Sequence, residues 1–180
     1  MRARLRAAMG PVSAEIEIDL PRERIFAVVG DLSRRPAFTD HLLTDFRLTR
    51  IEASGVGAGA RFRFRHWPRS FWADTVISEL DPPHRIVEHG RGGRSNRIPT
   101  TTVWELLGGS GSLTLVRVSF WTEPSSPIDR SLEKLSGAAM RQERGWQEVL
   151  RRLRDLLESD AVEQPRLALA GGNPHATGIP

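Results

Sequence analysis

Cysteine and tyrosine are both missing from this sequence of 180 residues, and lysine occurs once, at Lys134. Without cysteine there can be no disulfide and no thiolate metal site, which suits a reducing compartment. Without tyrosine no phenol is available as a proton donor. Long apolar runs are lacking too, and none approaches the length of a membrane span. Met1 to Gly10 carries Arg2, Arg4 and Arg6 but no apolar centre, so a signal peptide is not expected and the cytoplasm is the expected compartment.

What is present fits one domain with a tail. Hydrophobic residues make up 39% of the chain and charged residues 27%, enough apolar material for a core. The net charge is +4, and arginine supplies nearly all the positive charge. Arginine can grip phosphate through two parallel hydrogen bonds. The arginines are spread along the chain rather than blocked, however, which disfavours nucleic acid or acidic lipid as the partner.

Apolar and polar residues alternate over residues 13–20, which reads as a first strand. Pro21 can start a short helix from Arg22 to Val29, stopped by Gly30-Asp31. Ser33 can cap a second through about Leu43, with Phe38 and Leu42 one turn apart. Strands follow at Phe46–Ile51, Arg61–His66, Phe71–Leu80, Arg85–His89, Arg97–Leu107 and Leu113–Thr122. The strand from Arg61 is the clearest. It puts Phe62, Phe64 and His66 on one face and Arg61, Arg63 and Arg65 on the other. A long helix runs from about Ile128 to Glu158, where Leu132, Leu135, Ala139, Trp146, Leu150, Leu153 and Leu157 form one apolar stripe. Meandering strands followed by one amphipathic helix predict an α+β fold: a curved antiparallel sheet of about seven strands wrapped around the helix.

The residues that carry a likeness to known proteins are spread along this pattern. They are Pro21-Arg-Glu-Arg-Ile-Phe26 with Asp31, Pro36-Ala-Phe38, and Gly55-Val-Gly57-Ala-Gly59-Ala-Arg61-Phe62. Glu79-Leu-Asp81-Pro82-Pro83-His-Arg85-Ile-Val87, Trp104-Glu-Leu106 and the last helix complete the set. Over about residues 12–158 the sequence resembles the SRPBCC superfamily of polyketide cyclase/dehydrase-like and START-like lipid-transfer domains. The resemblance implies the helix-grip fold. It implies little about activity, because the superfamily holds cyclases, hydrolases, lipid carriers, quinone-binding proteins and hormone receptors. Residues 1–11 are then an N-terminal extension, 12–159 the ligand-binding domain and 160–180 a flexible tail.

Several motifs invite sharper readings. Gly55-Val-Gly57-Ala-Gly59 has the look of a phosphate loop, but a strand rather than a helix follows it, so a sheet-edge turn is expected. The histidines (His41, His66, His84, His89 and His175) lack metal-ligand spacing, and no metal or cofactor is expected. Asp74 and Glu105 could pair only if the fold brings them together. No nucleophile elbow or other catalytic motif is present, so no catalytic residue is named. Trp72, Trp104, Trp121 and Trp146, with Phe62, Phe64 and Phe120, could line an apolar cavity or fill an ordinary core.

Three functions stand open on the sequence. The first is binding or carriage of a hydrophobic small molecule (a lipid, quinone or polyketide) in a cavity lined by Phe38, Phe62, Phe64, His66, Trp104 and Phe120. The second is a cyclase or dehydratase. The third is an interaction module using Arg47, Arg61, Arg63 and Arg65, and a homodimer is compatible with all three. The missing catalytic constellation favours the first.

Overall fold

Alternation is the rule that builds most of this molecule. The structure, a computed structural model, describes residues 9–66, 69–93, 96–108, 113–124 and 138–159. The chain begins with strand β1 (Met9–Asp19), then helices α1 (Arg22–Val29) and α2 (Pro36–Thr39). Strands β2 (Leu43–Leu48), β3 (Gly59–His66), β4 (Arg69–Asp81), β5 (Arg85–Gly92), β6 (Ile98–Gly108) and β7 (Leu113–Thr122) follow, and α3 (Ala138–Glu158) comes last. In β7 every second residue is buried, namely Thr114, Val116, Val118, Phe120 and Thr122. This is the signature of a strand with one face on a core, made of β-branched and aromatic residues that suit a pleated surface.

The seven strands form one antiparallel sheet in the order β1-β7-β6-β5-β4-β3-β2. From β2 to β7 each strand pairs with the next. The exception is β1, which pairs with β7 from Met9↔Thr122 to Asp19↔Leu113. Helices α1 and α2 therefore carry the chain from one sheet edge to the other. The sheet is strongly curled. In a flat sheet β3 and β7 would lie about 19 Å apart, four ladder spacings. Yet the rings of Phe64 on β3 and Phe120 on β7 stack 6.0 Å apart across the concave face. Helix α3 lies in the curl against β1 and α2. It buries Gln142, Trp146, Val149, Leu150, Leu153 and Leu157 and leaves Arg144, Arg151 and Glu158 in solvent.

The expected fold class therefore stands, a curved seven-stranded sheet gripping a C-terminal helix. Several boundaries differ from expectation. β1 starts at Met9, four residues before the legible alternation. α2 is only four residues long and Ser33 does not cap it. Instead the Ser33 amide and hydroxyl both donate to Asp31 Oδ1, at 2.9 and 2.6 Å, and Pro36 opens the helix. Phe38 and Leu42 look like helix neighbours, but a turn intervenes, with the Leu42 amide bonded to the Thr39 carbonyl at 2.9 Å. β2 begins at Leu43, opposite Phe64, rather than at Phe46, and Ile51 is 81% exposed beyond its end. Asp45, with φ of 53°, sits in the irregular stretch of ladder between Thr44 and Arg47. There the period of two is broken.

β4, β5 and β6 each run one to three residues past their expected ends. The part of the last helix expected before Ala138, with Leu132 and Leu135, lies outside the described residues. The glycine-rich segment is a sheet-edge turn as expected. Gly55 and Gly57 take φ of 90° and 94°, which a side chain would oppose, and β3 starts at Gly59. The turn is tied to β4 by hydrogen bonds from the Gly57 amide to the Ile77 carbonyl and from the Ile77 amide to the Ala58 carbonyl.

Candidate functional site

The register of the sheet decides which side chains meet inside the curl. Residues directly opposite each other share a face. Ile77, Glu88, Thr102, Phe120 and Val12 therefore form one inward row across β4, β5, β6, β7 and β1. Ala60 and Thr75 pair on the same face, as do Phe62 and Ala73, and Phe64 and Phe71. One stretch of the inner face, on β3 and β4, thus carries small side chains (Ala60, Ala73 and Thr75), with Gly90 of β5 opposite Thr75. The large rings stand on either side of this floor and on the helix.

Those rings form a continuous run. Phe71 stacks on Phe64 at 5.7 Å, and Phe64 on Phe120 at 6.0 Å. Phe120 meets Trp146 of α3 at 5.9 Å, and Trp146 meets Trp104 edge-on at 5.9 Å. Of the residues expected to line a cavity, Phe64, Trp104 and Phe120 belong to this run. Phe62 is buried but stacks on Phe46, 5.5 Å away, in a separate pair. Phe38 of α2 is fully buried, 6.0 Å from the Arg35 guanidinium. His66 ends β3 opposite Arg69, and its side chain lies outside the described residues.

Trp72 and Trp121 are not among the inward aromatics. Trp72 is opposite Arg63 and faces outward, with the Arg61 and Arg63 guanidinium carbons 5.2 and 5.3 Å from its ring centre. Trp121 shares its phase with Arg117 and Ser119 and donates to Glu123 at 3.2 Å. Arg61, Arg63 and Arg65 are exposed, as the alternation of β3 requires, and Arg47 of β2 is exposed beside them. Asp74 and Glu105 do not meet. Asp74 faces Arg61 and Asn96, while Glu105 faces Arg117.

One feature of the concave face was not foreseen. Arg35, the residue before α2, is 2% exposed and its Nη2 donates to Glu88 Oε1 and to the Val29 carbonyl, each at 2.8 Å. Glu88 also accepts from Trp104 Nε1 at 3.1 Å and from Thr75 Oγ1 at 3.2 Å. The Arg35 guanidinium carbon lies 5.0 Å from the Trp104 ring centre. A buried charge pair survives only when its hydrogen bonds are met, and the Glu88 carboxylate has three donors. The available signal was the phase of β5: Ile86 is inward, so Glu88 must be too, and His89 then faces outward. Among the described residues, four buried polar side-chain atoms near α2 and α3 have no hydrogen-bond partner: Arg35 Nε, His41 Nδ1, Gln142 Oε1 and Trp146 Nε1.

His41 lies apart from the rings, between α2 and α3. Its Nε2 meets the Gly145 carbonyl at 3.3 Å. Burial holds its pKa below the ordinary 6.5, opposed by that hydrogen bond, and the nearby Arg152 lowers it further. Arg152 bonds Asp40 at 2.6 Å and Glu148 at 3.0 Å, and its hydrogen bond lowers the Glu148 pKa. Among the described residues no three histidine or carboxylate side chains gather as a metal site would need. No described helix is long and apolar enough to cross a membrane.

Comparison with known proteins places this geometry. Several solved structures share the fold. A Thermus thermophilus protein, TTHA0849, is 20% identical with a TM-score of 0.66, over 84% of this chain and 99% of that one. A START superfamily protein from Mycobacterium smegmatis is 15% identical with a TM-score of 0.60, over 84% and 99%. Major latex-like protein 151 from Panax ginseng is 13% identical with a TM-score of 0.58, over 86% and 98%. No curated protein matches in sequence. Residues 19–158 match the family described as Activator of Hsp90 ATPase homolog 1-like protein. With a match over that span and the sheet curled around α3, the chain belongs to the Activator of Hsp90 ATPase homolog 1-like family and has the SRPBCC/START-like fold.

Proposed function

We propose that this protein binds a hydrophobic small molecule between the concave sheet face and α3. The observation that carries the reading is the pairing of a small-residue floor with bridging rings. Ala60 of β3 and Ala73 and Thr75 of β4 keep part of the concave face low, while Phe64 and Phe120 meet over the curl and Trp146 continues the run to Trp104. An interior of this kind takes apolar surface out of water on binding, at roughly 25 cal/mol per Å². A few fixed polar groups then orient the ligand. A lipid, a quinone and a polyketide all meet these requirements. Phe64, Trp104 and Phe120 would form the wall, with Phe38, Phe62 and His66 at its margins.

The test is thermal denaturation in the presence of Nile red, a neutral apolar dye. A dye that binds only the folded chain raises the melting temperature in step with its concentration. The reading expects that rise, with quenching of tryptophan emission. A melting temperature indifferent to dye across the micromolar range would reject it.

A second reading has one observation in its favour. Trp72 stays 36% exposed between Arg61 and Arg63 on the outer face, a cationic and aromatic patch that an acidic partner would fit. Salt-dependent retention on an immobilised polyglutamate, lost on changing Arg61, Arg63 and Arg65 to glutamine, would support it.

A further inference from the structure

We infer that the polar end of the ligand is an uncharged carbonyl group, received by Arg35 and Trp146 around the Trp104 ring. The inference rests on the apolar-ligand reading above and adds the chemistry of the polar end.

Two tryptophans and one arginine share this corner. Trp104 is fully buried, with the Arg35 guanidinium carbon 5.0 Å from its ring centre and the Trp146 ring 5.9 Å away at 82°. Trp104 has spent its own N–H on Glu88. Its two neighbours still hold one each: Arg35 Nε and Trp146 Nε1 are buried and have no partner. Trp146 is 3% exposed and Arg35 is 2% exposed, so bulk water does not serve them. Orphaned buried N–H groups are rare in folded proteins, because leaving one unmatched forfeits the hydrogen bond it made to water. Gln142 lies one turn before Trp146, and its side-chain oxygen Oε1 is also buried and unmatched. That amide can rotate to offer either polarity.

Charge narrows the choice of acceptor. The Arg35 cation is already balanced by Glu88 at 2.8 Å, and the Glu88 carboxylate already accepts from Arg35, Trp104 and Thr75. An incoming carboxylate would bring a buried negative charge with no free counter-charge from this pair. A hydroxyl would also meet these donors, but its own proton would need the Gln142 Oε1 as acceptor. A carbonyl oxygen has two lone pairs and no proton, and it matches donors without adding either charge or donor. The ligand class is therefore an apolar molecule ending in, or interrupted by, a ketone, ester or quinone carbonyl.

The experiment compares three probes of equal carbon number, nonane, methyl heptyl ketone and nonanoate, by displacement of Nile red at neutral pH. The ketone is expected to bind about tenfold more tightly than nonane, the worth of one or two net hydrogen bonds, and more tightly than nonanoate. Trp146→Phe keeps a ring and removes the N–H. It should erase most of the ketone's advantage while leaving nonane unchanged. A readout on the unaltered chain guards against a variant that fails to fold. The Trp146 indole proton resonance should move downfield with the ketone and stay in place with nonane. Equal displacement by all three probes, tightest binding by nonanoate, or an indole resonance unmoved by a bound ketone would overturn the carbonyl assignment and leave the apolar site intact. Nile red that never binds the wild-type chain would instead remove the reading on which the assignment rests.

Discussion

Arg35 and Glu88 are the residues whose removal should be felt most sharply out of proportion to their number. The pair is 2.8 Å apart with both side chains almost wholly buried, and it joins the entrance of α2 to the middle of the sheet. Deleting one partner leaves the other charged and unpaired in the interior. Glu88→Leu should therefore cost about 3–5 kcal/mol in urea denaturation. The double change Arg35→Met with Glu88→Leu should cost clearly less than either single change, since it removes both charges together. A double variant as unstable as the sum of the singles would mean that the shape of the two side chains, not their charge, holds the corner. Neither residue stood out in the sequence. The contact spans 53 positions and joins a residue before a proline to a strand whose phase is ambiguous. Glu88 reads as an ordinary surface acid until Ile86 fixes which way β5 faces.

At the scale of elements, the legible parts were those with one uninterrupted period. From Arg61 to Arg65 β3 alternates exposed and buried side chains as its sequence does, and Trp146, Leu150, Leu153 and Leu157 fall on the buried side of α3 as their spacing predicts. The sequence places β2 too late because Asp45 breaks the ladder, and it extends α2 too far because a turn mimics the i, i+4 spacing of a helix. Of the expected wall residues, Phe64, Trp104 and Phe120 meet as neighbours of one run because strand phase is local. Phe62 turns to Phe46 instead, a partner that depends on the misread strand.

Two variants probe how α3 is held. Trp146→Ala should cost about 3–5 kcal/mol in chemical denaturation, because it empties the space between Trp104 and Phe120. A loss under about 1 kcal/mol would show that the helix grips the sheet elsewhere. The second concerns His41, which links α2 to α3 through the Gly145 carbonyl. Its folded pKa lies below its ordinary 6.5, so the unfolded chain binds the proton more readily. Its contribution is intact above that value and is lost as pH falls through it toward the depressed folded pKa. Wild type should lose more stability than His41→Gln as pH drops from about 7.5 to 5, the range that brackets an ordinary histidine. Parallel pH profiles for the two proteins would contradict this.

The sheet has an outer face that exposes arginines and an inner face of buried aromatic rings. The outer arginines of β3 pair loosely with Asp74 and Asp45, at 3.7 and 3.6 Å, and exposed pairs of this kind contribute little. Changing Arg61, Arg63 and Arg65 together to glutamine should cost less than about 1 kcal/mol per pair and leave the melting transition cooperative. An unfolded triple variant would mean that the outer face is buried in an assembly. The proposed ligand site lies on the inner face. The measurement that tests it most directly is a Nile red titration of three proteins: wild type, Phe64→Arg on the concave face and Trp72→Arg on the outer face. Wild type and Trp72→Arg should show saturable, blue-shifted binding at one dye per chain in the micromolar range, and a still-folded Phe64→Arg should show none. Binding that survives in Phe64→Arg, or disappears in Trp72→Arg instead, would contradict that placement.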